Sequence, residues 1–225
     1  RTMHIEAMIG SANFDNIAIQ GQVNGTTAKR SPGSTLKPFV FGLALDAGLI
    51  HPKTMLKDLP KKYAGFAPEN FGRGFVGPIL AQDALINSRN VPAVDLQYQL
   101  QLQQAEQGGV SNTLDFYGFL NKAGISQLKD PSFYGLALAL GGVEVTMLEL
   151  IELYAVIANL GEHKKAVANY SQHTSHEQSS QKILSPEAAF LVFDMLSKNP
   201  APNAIPSTLV TPVLNKADKL DHNFV

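Results

Sequence analysis

Arg30-Ser31-Pro32-Gly33-Ser34-Thr35-Leu36-Lys37-Pro38-Phe39 opens a run, continued by Val40-Phe41-Gly42-Leu43-Ala44-Leu45-Asp46-Ala47, that is apolar almost all round. A helix of that pattern is buried inside a domain rather than laid on its surface. Pro38 has no N–H to give to a helix interior, so it belongs in the first turn, and the predicted helix starts near Ser34 or Thr35 and is stopped by Gly48. Ser34 and Lys37 are then one turn apart on one face. That is the arrangement of serine acyl transferases that use lysine in place of histidine as base. The helix N-terminus favours negative charge on the serine oxygen or an acyl oxyanion. Desolvation beside Leu36, Phe39 and Val40 would lower the lysine pKa and free the amine to take the serine proton.

Spacing alone does not select this pair. Ser-x-x-Lys occurs three times, the others being Ser126 to Lys129, ahead of an Asp-Pro turn, and Ser179 to Lys182, in a polar loop. Both of those lysines should be hydrated and protonated. Ser-x-Asn, which can offer a hydroxyl and an amide to a neighbouring serine, also occurs three times, at Ser11-Ala12-Asn13, Ser88-Arg89-Asn90 and Ser197-Lys198-Asn199. Only Ser88 to Asn90 is expected in a tight joint between helices, because Pro92 pushes Val91 out of the helical region and restarts a helix. Taken alone, Ser34 could equally be an N-cap, Lys37 a snorkelling surface residue, and Ser88 and Asn90 a helix end and a cap.

Outward from these segments the pattern is mixed. Residues 3–9 alternate weakly and read as a strand, and Ile17-Ala18-Ile19 as a second short one. Residues 51–77 read as an irregular loop, after which Pro78 is expected to open a helix carrying Ile79, Leu80, Ala84 and Leu85 and ending at Asn87 to Asn90. Residues 93–123 are helix-rich with a break at Gly108-Gly109. Thr146 to Glu149 is a capping box opening an apolar helix to Leu160. Glu162 to Gln181 is a polar loop, and Ser185-Pro186 caps a last helix to about Leu196. No internal repeat is visible.

Composition excludes several classes. A formal charge of −1 argues against a nucleic-acid partner, which needs a basic face, and the absence of cysteine removes disulfides, thiolate nucleophiles and cysteine zinc sites. With 44% hydrophobic residues the chain can bury a full core, yet no run approaches the roughly 20 apolar residues that span a bilayer. The first residues lack the order of a signal peptide and open directly on the expected strand, as in a segment of a longer chain. Gly72-Arg73-Gly74-Phe75-Val76-Gly77 matches a dinucleotide fingerprint, with Asp95 downstream, but no apolar strand precedes it. His173 and His176 have no third metal ligand in view.

The Pro-Gly-Ser-x-x-Lys-Pro context of residues 32–38 resembles the nucleophile helix of penicillin-binding transpeptidases. Gln20 to Gly25, Ala84 to Val94 and Leu138 to Thr146 resemble further blocks of that family in family order, so that the likeness runs over roughly residues 3–197. It is nearest to the bifunctional class A branch, whose glycosyltransferase module and membrane anchor are not in this sequence. The resemblance implies an α/β (α+β) serine transpeptidase or β-lactamase-like fold, an antiparallel sheet sandwiched by helices plus a helical lobe, here short of its C-terminal strands. One transpeptidase domain, incomplete at both ends, would occupy residues 1–225.

By the same resemblance Ser34 attacks the D-Ala-D-Ala carbonyl of a peptidoglycan stem peptide, Lys37 accepts its proton, Ser88 relays a proton to the leaving amine and Asn90 orients the substrate amide. β-Lactams would be trapped at Ser34. Neither a metal nor an organic cofactor is implied, a membrane would be met only through a segment outside this chain, and the location would be periplasmic or the outer face of the cytoplasmic membrane. The family's Lys-Thr-Gly or Lys-Ser-Gly motif is absent, and the nearest candidate is Lys216-Ala217-Asp218, ahead of Asp221-His222-Asn223-Phe224-Val225. If Lys216 took that place as a substrate-binding residue, Asp218 would set a carboxylate where the substrate carboxylate belongs. The alternatives left open are an inactive or truncated relative acting as a cell-wall binding or interaction module, a β-lactam hydrolase, and a helical interaction domain whose motifs are accidental.

Overall fold

The computed structural model describes residues 3–63, 65–106, 114–168 and 180–200. Its centre is a helix, α1 (Lys37–Asp46), in which Lys37 through Ala44 are all buried. The expected helix from Ser34 to Ala47 is thus shorter at its start, because Gly33–Leu36 forms a 3-10 turn that leads into it. Pro38 lies in the first turn of α1, where its missing N–H costs no helical bond.

The chain then makes β1 (Met55–Asp58) and β2 (Gly77–Leu80), an antiparallel pair in the register Met55 with Leu80 and Asp58 with Gly77. This corrects two expectations. The segment 51–77 is not wholly irregular, and Pro78 sits in a strand rather than opening a helix. A two-stranded ladder has only edge strands, so a proline can occupy one with its donorless side outward. The helix α2 (Ala81–Ile86) starts after Leu80.

Next comes α3 (Asn90–Glu106), whose first residue is Asn90 rather than Pro92. The proline occupies the third helical position, where the N–H it lacks would have had no intrahelical acceptor. Val91 is therefore inside the helix. The remaining helices are α4 (Phe116–Lys122), α5 (Pro131–Tyr134), α6 (Met147–Ala158) and α7 (Pro186–Ser197), with a 3-10 segment at Gly135–Leu140 and a short ladder of β3 (Glu162–His163) with β4 (Gln181–Lys182). The Gly108-Gly109 break lies outside the described residues.

Both caps read from sequence are formed. Thr146 Oγ1 accepts from the Glu149 N–H at 3.1 Å while Glu149 Oε2 accepts from the Thr146 N–H at 2.7 Å, and Ser185 Oγ accepts from the Ala188 N–H at 3.0 Å. At the N-terminal side, the expected strand over residues 3–9 reduces to a single bridge between His4 and Val167. Ile17–Ile19 is a 3-10 turn, not a strand, because the Asn16 side chain caps it by accepting from the Ala18 N–H at 3.0 Å and Gln20 closes it in the left-handed region.

The core forms where α1 meets α3, α7 and the 3-10 segment 135–140. Phe39 stacks on Phe119 at 5.6 Å between centroids and meets Tyr154 edge-on at 5.3 Å, tying α1 to α4 and α6. Gly42 lets α7 approach: a Cβ there would lie 3.2 Å from Leu184 and 3.3 Å from Val192. Among the described residues the only ladders are the two short antiparallel ones, so this part of the molecule is the helical body of an α+β protein.

Candidate active site

Ser34 is held in place from outside its own helix. The backbone of Arg30 pairs with Val145 through N–H to O bonds of 3.0 and 2.9 Å, and Ser31 Oγ donates to the Gly141 carbonyl at 2.7 Å. Gly141 (φ +88°) crosses Gly33 (φ +57°) so closely that a Cβ on it would lie 2.3 Å from the Gly33 nitrogen. Two glycines meeting backbone to backbone fix the turn that presents Ser34. Thr35 Oγ1 donates to the Pro32 carbonyl at 2.7 Å, and the Tyr154 hydroxyl donates to the Thr35 carbonyl at 2.8 Å. The Ser34 side chain itself is exposed and its hydroxyl makes no hydrogen bond among the described residues. Held by its neighbours and bonded to none, it is available to a ligand.

Three residues on, Lys37 is 1% exposed, among the most buried large side chains of the molecule. Its ammonium donates to the Ser88 carbonyl and to Asn90 Oδ1, both at 2.5 Å, and to Ser88 Oγ at 3.1 Å. Desolvation, with the positive charge of Arg89 adding to it, pushes its pKa down to about 8. Lys37, one turn after Ser34, thus meets the Ser88-Arg89-Asn90 joint through Ser88 and Asn90.

The joint is built by backbone geometry that the local sequence does not favour. Ser88 has φ +53°, a left-handed conformation that costs a residue with a Cβ roughly 1–2 kcal/mol. Compensation comes from the Ser88 and Arg89 N–H groups, which donate to the carbonyls of Leu85 and Ala84, both at 2.9 Å. Asn90 is fixed on three sides: its backbone N–H donates to Asn70 Oδ1 at 2.8 Å, its Nδ2 donates to the Glu69 carbonyl at 2.6 Å, and its Oδ1 faces Lys37.

The other matches to the two patterns do not assemble. Ser126 Oγ donates to Glu149 Oε1 at 2.7 Å while Lys129 lies over the Phe133 ring at 3.9 Å. Ser11 Oγ donates to the Gly21 carbonyl, and Ser197 Oγ to the Asp194 carbonyl. Ser179, His173 and His176 lie outside the described residues, and so does Lys216. The glycine-rich stretch 72–77 follows β1 by a long loop and runs into a strand instead of a helix, which removes the geometry a dinucleotide needs.

Sequence reasoning missed Asp58, Asn70 and Arg89, the polar groups beneath the joint. Asp58 is fully buried at the end of β1 and accepts from Arg89, Asn70 and the Val76 N–H. A charged residue closing a short strand in a segment rich in lysine and proline carries no periodic signal that would have marked it as buried.

Residues 1–208 match a family model described as penicillin binding protein transpeptidase domain. The chain is 36% identical over 164 residues to penicillin-binding protein 1C of Escherichia coli (strain K12), covering 72% of this chain and 20% of that protein. To penicillin-binding protein 1F of Bacillus subtilis (strain 168) it is 27% identical over 208 residues, 88% of this chain and 26% of the relative. It thus spans only a minor part of the length of these relatives. Among solved structures, it resembles a peptidoglycan glycosyltransferase from Burkholderia ambifaria with a TM-score of 0.62, covering 77% of this chain and 57% of that one at 19% identity. The apo transpeptidase (TP) domain of Burkholderia pseudomallei penicillin-binding protein 3 gives a TM-score of 0.61 at the same 19% identity, with 79% and 55% covered. These two likenesses place the fold.

Proposed function

The chain belongs to the penicillin-binding protein transpeptidase family, and from that premise we propose that it forms an acyl-enzyme at Ser34 with peptidoglycan stem peptides and with β-lactams. The observation that carries the reading is the contact of one buried lysine, one turn after an exposed and unbonded serine, with the Ser88 and Asn90 side chains of the interhelical joint.

The chemistry follows from that contact. Ser34 Oγ attacks the carbonyl carbon of the D-Ala-D-Ala bond while its proton passes to the neutral Lys37 amine. The C–N bond of the resulting tetrahedral species breaks, and the leaving D-Ala nitrogen needs a proton. Lys37 holds one within 3.1 Å of Ser88 Oγ, so the Ser88 hydroxyl can give its own proton to the leaving amine and take the lysine's in exchange. The acyl group stays on Ser34 as an ester until the amine of a neighbouring stem peptide attacks it and releases the cross-linked product. In this reading Asn90 orients the substrate amide while its Oδ1 keeps Lys37 aimed.

Recognition of the substrate carboxylate is not assigned to any described residue; Lys216 remains the sequence candidate for it. Substrate class, cross-linking and a location outside the cytoplasmic membrane are parts of the same proposal. No helix among the described residues is long and apolar enough to cross a membrane.

The test is incubation of the purified protein with a fluorescent penicillin, followed by intact mass, with Ser34→Ala as control. A stoichiometric adduct on the parent and none on the control is the expected result. An adduct lost within seconds would point to a hydrolase instead, and no adduct at all to a binding module.

A further inference from the structure

We propose that Asp58 is a positioning residue for the reacting lysine: its carboxylate, by gripping Arg89 and Asn70, sets the Ser88-Arg89-Asn90 joint over Lys37 and balances the guanidinium charge beside it. The proposal rests on the acyl-enzyme reading of Ser34 and Lys37 and extends it to a residue that never meets the substrate.

Both oxygens of Asp58 are used. Oδ2 receives the Arg89 fork, at 2.8 Å from Nε and 2.5 Å from Nη2, together with the Val76 N–H at 3.1 Å; Oδ1 receives Asn70 Nδ2 at 2.8 Å. Two arms reach the joint from this one carboxylate. The first is Arg89 itself, the middle residue of the triplet, which also donates to the Gly74 carbonyl at 2.5 Å. The second runs through Asn70, whose Oδ1 accepts from the Asn90 N–H at 2.8 Å and whose Nδ2 is shared with Gly74 at 2.9 Å. Ser88, in its left-handed conformation, lies just before these two clamped residues, with its carbonyl and hydroxyl turned to Lys37.

Asp58 is 0% exposed, so its negative charge is not spread into water and acts on its neighbours at low dielectric. Arg89 is the charge that reaches Lys37 and disfavours its protonated form. Of the other ionisable groups around α1 and the joint, Asp95 on α3 is taken by Lys61 and Tyr63, and Tyr154 on α6 donates to the Thr35 carbonyl. Asp83 on α2 is half-buried, while Glu69 and Arg73 lie at the surface of the loop. Asp58 is the group paired with Arg89, and removing its charge leaves the guanidinium to act on the lysine unopposed.

The experiment is run on the full chain as the parent and as Asp58→Asn and Arg89→Gln. Competitive acetylation with acetic anhydride across pH, read at Lys37 by peptide mass spectrometry, reports titration of the amine without any turnover. The penicillin acylation rate is followed over the same pH range. The parent midpoint is expected near 8. Asp58→Asn should lower it by roughly half to one unit and drop the high-pH acylation plateau about tenfold or more, whereas Arg89→Gln should raise the midpoint by a similar amount. A carboxylate that merely held the fold together would cut the plateau and leave the midpoint alone, and that result would overturn the proposal, as would a plateau within twofold of the parent. Should Asp58→Asn fail to fold, an unmoved midpoint in Arg89→Gln overturns it equally. Absence of any adduct on the parent strikes the acyl-enzyme reading instead, and the acetylation titration still decides whether Asp58 governs the charge on Lys37.

Discussion

Lys37 Nζ lies 3.1 Å from Ser88 Oγ, a contact across 51 positions of chain that joins the start of a buried helix to a strained interhelical joint. The same nitrogen satisfies the Ser88 carbonyl and Asn90 Oδ1, so the lysine is at once desolvated and fully partnered. Desolvation, with the Arg89 charge adding to it, holds its pKa down at about 8, where it can both take and return a proton near neutral pH.

The acylation rate should therefore depend on pH through this amine. Only the free base can accept the serine proton, and with a pKa of about 8 roughly a tenth of the protein carries it at pH 7. The second-order rate of penicillin acylation is expected to rise about tenfold per unit below pH 7 and to level off above pH 9. A profile flat from pH 6 to 9, measured by stopped-time labelling, would remove Lys37 as the base.

Ser34→Ala should separate function from stability. The hydroxyl makes no hydrogen bond among the described residues and the side chain is exposed, so its loss removes no packing. Adduct formation should fall below detection, at least ~1000-fold, while the melting temperature stays within about 1 °C of the parent. Differential scanning calorimetry beside intact mass gives both numbers.

How far the sequence alone carries this picture depends on the range over which each interaction acts. Ser34 and Lys37 were legible because one helical turn is a local geometry and Pro38 pins where that turn lies. Thr146 with Glu149 and Ser185 with Ala188 were legible for the same reason. Ser88 and Asn90 could be singled out by the prolines and helices around them, but not placed against Lys37 except through resemblance to a family. Pro78 was misread because a proline one residue into an edge strand and a proline opening a helix look alike until Met55 to Asp58 are known to pair with it. Asp58 and Asn70 were invisible, since their roles exist only after β1, the loop before β2 and α3 have come together. Lys216 lies outside the described residues.

Lys37→Met should expose the energetic cost of the site. The amine pKa is lowered from 10.5 to about 8 in the folded protein, so between those values the unfolded chain binds more protons and stability rises with pH. The penalty is present in full below about 8 and disappears above about 10.5, and it amounts to ~3 kcal/mol. Methionine abolishes it, although the Ser88 carbonyl and Asn90 Oδ1 then lose their donor at a cost of ~1–3 kcal/mol. At pH 7 the variant is expected within ~2 kcal/mol of the parent, and the difference should move in the parent's favour by up to ~3 kcal/mol on going to pH 10. Urea denaturation at the two pH values measures it, and a pH-independent difference would contradict the lowered pKa.

Asn90→Ala should weaken the site more than the fold. It removes one acceptor from Lys37 and one donor from the Glu69 carbonyl but leaves the Asn90 N–H on Asn70 intact. Stability is expected to fall by ~1–2 kcal/mol and the acylation rate by ~10- to 100-fold. Equal rates in variant and parent would mean that aiming Lys37 does not need this amide.

Gly141→Ala tests whether the crossing of two backbones is what presents the nucleophile. A methyl there would lie 2.3 Å from the Gly33 nitrogen and 2.4 Å from its Cα, against backbone that cannot step aside without moving the turn that carries Ser34. Gly48→Ala is the matched control, because Gly48 also has a positive φ, +69°, yet a Cβ on it meets nothing within 4 Å. Both substitutions incur the left-handed penalty of ~1 kcal/mol, and only the first adds a clash. Gly141→Ala should therefore lose a further ~2 kcal/mol or more in stability and at least ~100-fold in acylation, while Gly48→Ala acylates like the parent. If the two variants acylated alike, Ser34 would owe its placement to the Arg30 and Val145 pairing and the Ser31 bond to Gly141, which both variants retain.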